Sequence, residues 1–234
     1  GCKTPPEAKN SVYIKFMGGI DMDNNIKYVM DMRVKRTIES LEKNNMEAYY
    51  VADEKAVIDK ISEFIKEGDT VSVGGSMTLF ETGVIDFLRN GKYNFLDRYA
   101  PGLTVEQIKE IFRKSFSADA YFVSSNAITE SGELYNVDGT GNRVAAMLYG
   151  PDKVIVVVGV NKIVKDIQEA DNRMKYCAAP ANAKRLNRKT PCTKLGYCME
   201  CDSPERICND YVLIRKQGQK GRIKVIIVAK DLGY

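Results

Sequence analysis

"GDTVSVGGSMTLFETG", residues 68–83, runs from a short β-branched segment through two glycines into a segment with helical spacing. Glycine lets the backbone approach a ligand closely, and a helix N-terminus offers free N–H groups to an anion. Ser76 stands where a helix N-cap belongs. The stretch therefore predicts a strand, a turn and a helix. The turn is either an anion-binding loop or an ordinary tight turn capped by Ser76. It matches neither the P-loop nor the dinucleotide-binding glycine pattern.

Outward from this unit, helical and strand patterns alternate along the chain. Apolar residues at three- and four-residue intervals predict helices at 23–45, 53–68, 105–116, 144–150 and 164–177. Short runs that contain β-branched or aromatic residues predict strands at 46–52, 69–75, 120–125, 153–159 and 222–234. Such alternation is typical of an α/β fold with a largely parallel sheet.

Composition narrows the class of protein. The 234 residues include 44% hydrophobic residues, which suffices for a sizeable core in one α/β domain. The 35 basic and 31 acidic residues leave a net charge of only +4, so the balance does not favour nucleic acid. No apolar run approaches the ~20 residues of a membrane span, and no signal-peptide segment precedes the first helix, so we expect a cytoplasmic protein.

The chain has no histidine. Acid–base chemistry must then use Asp, Glu, Lys, Tyr or Cys, and metal ligands must be thiolates or carboxylates. A Ser-His-Asp triad within the chain is excluded.

A second polar stretch, "SSNAITESGELYNVDGTGNRVAAMLYGP", covers residues 124–151. Polar groups this dense between apolar strands must be hydrogen-bonded or face a ligand. The segment "DGTGNRVAAM" resembles a turn that leads into a helix, and Arg143 has the chemistry to clamp a carboxylate or phosphate. The alternative is a hairpin followed by a capped helix. We predict a ligand pocket between the two turns, formed by Gly74, Gly75, Ser76, Thr78, Asn126, Asn136, Asp138, Gly139, Thr140, Gly141, Asn142 and Arg143.

These two stretches, with "KVIVVVGVNKIVKD" and "AAPANAKRLNRKTPC", resemble the lactate-utilisation (LUD) domain family over nearly the whole chain. The resemblance implies a Rossmann-like α/β/α sandwich of the NagB/RpiA/CoA-transferase-like type. Some family members take part in oxidising lactate to pyruvate alongside iron–sulfur subunits. The resemblance implies that this protein is associated with the oxidation of lactate or another 2-hydroxy acid and binds a small anionic metabolite. It would be either catalytic by itself or a component of an oxidoreductase.

Two alternatives follow from the wider superfamily. In CoA-transferases a Glu-x-Gly turn carries the nucleophilic glutamate, and "TESGEL" is similar, which makes Glu130 the counterpart. In sugar-phosphate isomerases a glycine-rich turn binds phosphate, and "VGGSMT" takes that place. The first alternative is thus a CoA-transferase or isomerase-like enzyme that uses Glu130. The second is a non-catalytic subunit of a multi-subunit oxidoreductase.

Four of the six cysteines lie within "PCTKLGYCMECDSPERICND", residues 191–210. Cys198 and Cys201 form the C-x2-C unit common in tetrahedral sulfur sites. The spacing of Cys192, Cys198, Cys201 and Cys208 matches neither common ferredoxin pattern, nor a zinc ribbon. We predict a metal site on these four, an iron–sulfur cluster first and zinc as the alternative, with free thiols or disulfides as the remaining interpretation.

Residues 177–210 also hold a basic run, "AKRLNRKTPCTK". Its cations Lys184, Arg185, Arg188 and Lys189 could meet nucleic acid or an acidic partner, but a solvated helix face is the favoured interpretation. We interpret this segment as a Cys-rich decoration on one domain that spans residues 1–234, with the helical segment at 23–45 as its beginning.

Overall fold

The structure is a computed structural model that describes residues 23–234. Nine α-helices occur in this part of the chain: α1 (Asn24–Lys43), α2 (Glu54–Ser62), α3 (Met77–Glu81), α4 (Val84–Leu88), α5 (Val105–Lys114), α6 (Asn142–Tyr149), α7 (Ile167–Arg173), α8 (Ala179–Arg185) and α9 (Cys192–Leu195). The strands are β1 (Glu47–Val51), β2 (Thr70–Val73), β3 (Asn94–Leu96), β4 (Ala120–Val123), β5 (Ala127–Thr129), β6 (Leu134–Asp138), β7 (Val154–Gly159), β8 (Ile163–Val164), β9 (Asp210–Ile214) and β10 (Ile223–Val228).

Six strands form a central parallel sheet in the order β1-β10-β7-β4-β2-β3. The predicted parallel α/β sheet is therefore confirmed. Strand β7 lies in the middle, and every one of its residues is buried. Its run of five β-branched residues, 154–158, follows from this position, since a strand covered on both faces has no solvent side that would call for alternation.

Successive side chains of the central strands lie on opposite faces of the sheet and pack into two separate hydrophobic cores. Val154, Val156 and Val158 pack on one face with residues of α1 and α6. Ile155 and Val157 pack on the other face with residues of α2, α3 and α4. The central sheet thus lies between two helical layers.

A second sheet packs against the first core, and the sequence analysis offered only its β5–β6 hairpin, as the alternative interpretation of residues 124–151. Its order is β8-β5-β6-β9, with β5–β8 parallel and the other pairs antiparallel. The segment "ESGE", considered as a hairpin turn, connects β5 to β6 and has Gly132 at φ 76°. Strands β5 and β8 have only three and two residues, which is too short for periodicity to show.

None of the helices among residues 23–234 is long and apolar enough to cross a lipid bilayer.

Candidate functional site

A pocket of about 570 Å³ opens at the carboxyl ends of three adjacent strands of the central sheet. Gly75 and Ser76 follow β2, Ser124 follows β4, and Lys162 follows β7. Ligands of open α/β sheets gather at this edge because the connecting loops diverge there. The volume is within the ~300–1,000 Å³ that small-molecule pockets occupy.

Both glycine-rich turns line this one pocket. Of the twelve residues predicted to bind ligand, eight lie in its wall: Gly75, Ser76, Asn126, Asp138, Gly139, Thr140, Asn142 and Arg143. The other four, Gly74, Thr78, Asn136 and Gly141, are outside the lining. The turns therefore meet as expected, while ligand binding itself stays a prediction.

Asp138 and Arg143 form a buried ion pair in the pocket wall. Asp138 Oδ1 lies 2.8 Å from Arg143 Nε and 2.7 Å from Nη2. Asp138 Oδ2 accepts hydrogen bonds from the backbone N–H groups of Arg143 and Val144, each at 3.0 Å. Asp138 is thus the anion that the N-terminus of α6 binds in the structure, and this helix end is engaged internally.

Every N–H of the Arg143 guanidinium has a partner inside the protein. Nη1 donates to the carbonyl of Ser124 and to Asn136 Oδ1, and Nη2 donates to Asn126 Oδ1 and the carbonyl of Val137. With Nε on Asp138, all five donors are used. Arg143 therefore ties β4, β6 and α6 together behind the pocket surface, and an external anion must find other cations.

Lys162 is a further cation of the pocket, and its side chain is almost wholly buried. Its Nζ donates to Thr78 Oγ1 at 2.9 Å and to Ser124 Oγ at 3.1 Å. Burial, followed by repulsion from Arg173 and Arg143, lowers the pKa of Lys162 to about 7. Thr78, predicted as a ligand contact, acts here as a partner of this amine.

Arginines surround the mouth of the pocket. Arg98 lies over the rings of Tyr99 and Phe112, and Arg185 and Arg188 come from the end of α8 and the loop after it. Among residues 23–234, no ion pair involves Arg98, Lys162, Arg185 or Arg188. Once Asp138 has paired with Arg143, Glu205 is the remaining carboxylate side chain among the described lining residues. The pocket is therefore electropositive.

The cysteine-rich segment forms one wall of this pocket. Residues 204–207 and 209 line it, and the side chain of Asn209 donates to the carbonyl of Gly139 at 2.9 Å. The Asn209 N–H donates to the carbonyl of Asp138 at 2.8 Å. A Cβ on Gly139 would lie 3.4 Å from Ile207 Cα, so the two segments pack closely. A π-helical turn, Met174–Ala178, adds its two end residues to the lining.

Glu130 lies outside the pocket lining. Its carboxylate binds Arg33 Nε at 2.8 Å and Arg36 Nη2 at 3.0 Å, both from α1. Burial raises the pKa of Glu130, but the hydrogen bonds from Arg36 and Arg33 outweigh it and leave that pKa below its ordinary value. A carboxylate stabilised as an anion by two arginines is a weak nucleophile, and its present role is to hold α1 on the second sheet.

The five cysteines of the described residues are free thiols. Cys177 is exposed, Cys208 is buried, and Cys192, Cys198 and Cys201 are intermediate. Between residues 23 and 234, no group of three or more cysteine or acidic side chains is arranged to hold a metal ion. Cys192, Cys198, Cys201 and Cys208 as they stand therefore do not fit a ligand shell for an iron–sulfur cluster or zinc. The cluster stays a prediction from spacing.

The thiols nevertheless have local partners. The Glu200 N–H donates to Cys198 Sγ at 3.3 Å, with Glu200 at φ 54°, and Arg206 lies 3.7 Å from Cys208 Sγ. Cys2, the sixth cysteine, lies outside the described residues.

The predicted site residues did not include Lys162 or the arginines at the mouth of the pocket, Arg98, Arg185 and Arg188. Lys162 follows the most buried strand by three residues, and that position at a strand's carboxyl end was the available signal. Arg185 and Arg188 belong to the basic run interpreted as a solvated helix face. They are exposed, as that interpretation requires, but they also line the pocket.

Comparisons with solved structures show the fold. A DUF162 family protein from Deinococcus radiodurans superposes with a TM-score of 0.50 at 15% identity, over 86% of this chain and 98% of that one. The tetrameric eIF2B-beta2-delta2 complex from Chaetomium thermophilum gives 0.40 at 18% identity, over 86% of this chain and 58% of that one. A 5-methylthioribose 1-phosphate isomerase from Pyrococcus horikoshii gives 0.32 at 17%, over 64% and 48%. The chain spans about half the length of these last two.

No curated protein matches the sequence significantly. The family model of the LUD domain matches residues 34–228, which is most of the chain and includes both glycine-rich turns, Lys162 and the cysteine-rich segment. The chain belongs to the LUD domain family.

Proposed function

We propose that this LUD domain binds a small anionic metabolite, with a carboxylate or phosphate group, in the pocket at the carboxyl ends of β2, β4 and β7. The observation that carries the proposal is the gathering of cations without carboxylate partners: Arg98, Lys162, Arg185 and Arg188. Cations in a partly dry cleft raise the local concentration of anions and form charge-assisted hydrogen bonds with them.

The neutral donors of the pocket suit the same class of ligand. Ser76, Asn126 and Asn142 lie in the same wall. A small number of placed polar groups fixes the orientation of a ligand that charge attracts. Family membership supports an association with lactate utilisation, so we propose a metabolite of lactate or 2-hydroxy acid oxidation. Action alongside other oxidoreductase subunits stays a prediction.

Titration calorimetry with L-lactate, pyruvate and sulfate tests this function. We expect saturable binding of at least one anion, no binding of uncharged glycerol, and weakening at high salt. Arg188→Met should weaken binding about tenfold because it removes one charged partner. Arg113→Met is the matched control, since Arg113 is exposed on α5 and outside the lining. Equal affinity in the two variants would contradict the proposal.

The rival transferase function is testable separately. If Glu130 were a nucleophile, Glu130→Gln would abolish CoA transfer. Because two arginines hold its carboxylate away from the pocket lining, we expect Glu130→Gln to leave anion binding unchanged. Robust CoA transfer that Glu130→Gln abolishes would favour the rival.

A further inference from the structure

The surroundings of the Lys162 amine leave one of its bonding directions unused. Its Nζ has two described acceptors, the hydroxyls of Thr78 and Ser124. The Thr78 hydroxyl donates to the carbonyl of Leu232 at 3.5 Å, and the Ser124 hydroxyl donates to the carbonyl of Ser125 at 3.4 Å. Both oxygens therefore offer lone pairs to the amine. An ammonium has three N–H donors, so one is left without a described protein partner.

The charges around the amine do not compensate it. Arg143 on α6 and Arg173 on α7 face it and disfavour its protonation, while Glu81 on α3 and Cys177 in the π-helical turn favour it more weakly. Asp138 is paired with Arg143. Lys162 is 3% exposed and has no carboxylate partner. Burying its charged form lowers the stability of the fold unless a ligand supplies the anion.

We infer that Lys162 is the anchoring cation for the ligand's anionic group, and that it takes up a proton when this group binds. The inference rests on the proposed function and deepens it, since it names the residue and couples binding to a proton. The ligand class is a carboxylate or a tetrahedral oxyanion that reaches the third direction of the amine, next to Thr78 and Ser124.

The protonation equilibrium of the free protein makes the coupling measurable. With the pKa of Lys162 at about 7, close to half of the molecules carry a neutral amine at pH 7. An anion next to the nitrogen favours the charged form and raises that pKa. Binding at pH 7 should therefore be accompanied by net proton uptake of less than one proton per ligand, and affinity should fall as the pH rises above 7.

The experiment is titration calorimetry at pH 7 in buffers of different ionisation enthalpy. Pyruvate and sulfate are the probes, because neither titrates near pH 7. We expect measurable net proton uptake, below one proton per ligand, for the unmodified chain. We expect Lys162→Met to weaken binding about tenfold or more and to abolish the uptake. Lys165→Met, which removes an exposed lysine outside the lining, should keep both.

The outcomes separate the two proposals. Binding without proton uptake, or a Lys162→Met protein that keeps both affinity and uptake, would overturn the role of Lys162 and leave the anion pocket standing. No binding of either probe to the unmodified chain would reject the anion pocket and the Lys162 anchor together. If Lys162→Met fails to fold, Lys162→Gln retains a polar head and gives the same comparison.

Discussion

Arg143 donates from Nε to Oδ1 of Asp138 over 2.8 Å inside the pocket wall. The pair closes a short loop, since Asp138 ends β6 and Arg143 lies in the first turn of α6. The same carboxylate caps the helix through the N–H groups of Arg143 and Val144. This arrangement fixes the shape of the second turn while leaving the charge of the pocket to other residues.

Removing one member of this pair should destabilise the protein strongly. Asp138→Ala leaves a buried guanidinium without its carboxylate and a helix end without its cap, so we expect a loss of about 3–5 kcal/mol in the free energy of unfolding. Chemical denaturation measures it. Arg188→Met, on the exposed rim, should cost less than about 0.5 kcal/mol. Similar losses in both variants would contradict the structural role of the pair.

The two glycines of the first turn should respond differently to alanine. A Cβ on Gly74 would lie 2.9 Å from Arg143 Cγ and 3.0 Å from the Tyr121 hydroxyl, so Gly74→Ala should lower the free energy of unfolding by about 1–3 kcal/mol. A Cβ on Gly75 would lie 3.6 Å from Arg98 Nη1, an ordinary contact.

Gly75→Ala should therefore fold normally and weaken anion binding, because its methyl group enters the pocket. Thermal denaturation and calorimetry on the two variants separate the effects. A Gly75→Ala protein with unchanged affinity would show that ligands do not approach this turn.

Lys162 should make stability depend on pH in a defined direction. Its pKa in the folded protein, about 7, is below the ordinary 10.5, so the unfolded chain binds more protons between these two values. The free energy of unfolding should therefore rise with pH across this window, and the penalty is fully present below pH 7. Lys162→Met should be more stable than the unmodified chain by roughly 1–3 kcal/mol at pH 6.

That advantage should shrink towards pH 10, because most of the interval between the folded-state pKa of about 7 and the ordinary value of 10.5 has then been crossed. Denaturation of both proteins at pH 6, 8 and 10 tests this, with Lys165→Met as the control. An advantage that is constant with pH would show that Lys162 does not titrate in this range.

The thiols should react in the order of their exposure. Cys177 is exposed, while burial raises the pKa of the Cys208 thiol, against the opposing effect of Arg206, and lowers its thiolate fraction. Alkylation followed by mass spectrometry should modify Cys177 well before Cys208. Equal rates would contradict the described packing.

The same assay tests the metal prediction. If iron and sulfide under anaerobic conditions give a brown protein that protects Cys192, Cys198, Cys201 and Cys208, and Cys198→Ser loses the colour, the segment rearranges to bind a cluster. A colourless protein with tightly held zinc would instead support a structural site.

The alternation of helical and strand segments predicted the parallel sheet, and the six-residue strands β7 and β10 were the clearest because nearly all of their residues are buried. Strands β5 and β8 were not among the predicted strands, because a strand of two or three residues is too short to show an alternating pattern of apolar and polar residues. For the site, the glycines and polar turns identified the correct loops. A close approach of the backbone needs glycine whether its partner is a ligand or another part of the protein. The sequence alone does not show which polar side chains form hydrogen bonds with one another in the fold. Arg143 has the residue type and position of a ligand clamp. Only the fold shows that three side chains and two backbone carbonyls inside the protein use all five of its donors.

Lys162 illustrates the opposite error. A lysine in "GVNKIV" has no sequence mark that separates it from a surface residue. Its position in the site results from burial after the end of β7. There its amine contacts the hydroxyls of Thr78 and Ser124, which are 84 and 38 positions away in the chain.

A crystal structure of the chain grown with pyruvate or with sulfate would show directly whether this pocket binds an anion through Lys162. We predict the anion between Gly75–Ser76 and Gly139–Asn142, within hydrogen-bonding distance of Lys162 Nζ, and its loss from the same site in Lys162→Met crystals. A well-ordered anion elsewhere on the protein, with this pocket holding only water at saturating ligand, would contradict the central claim.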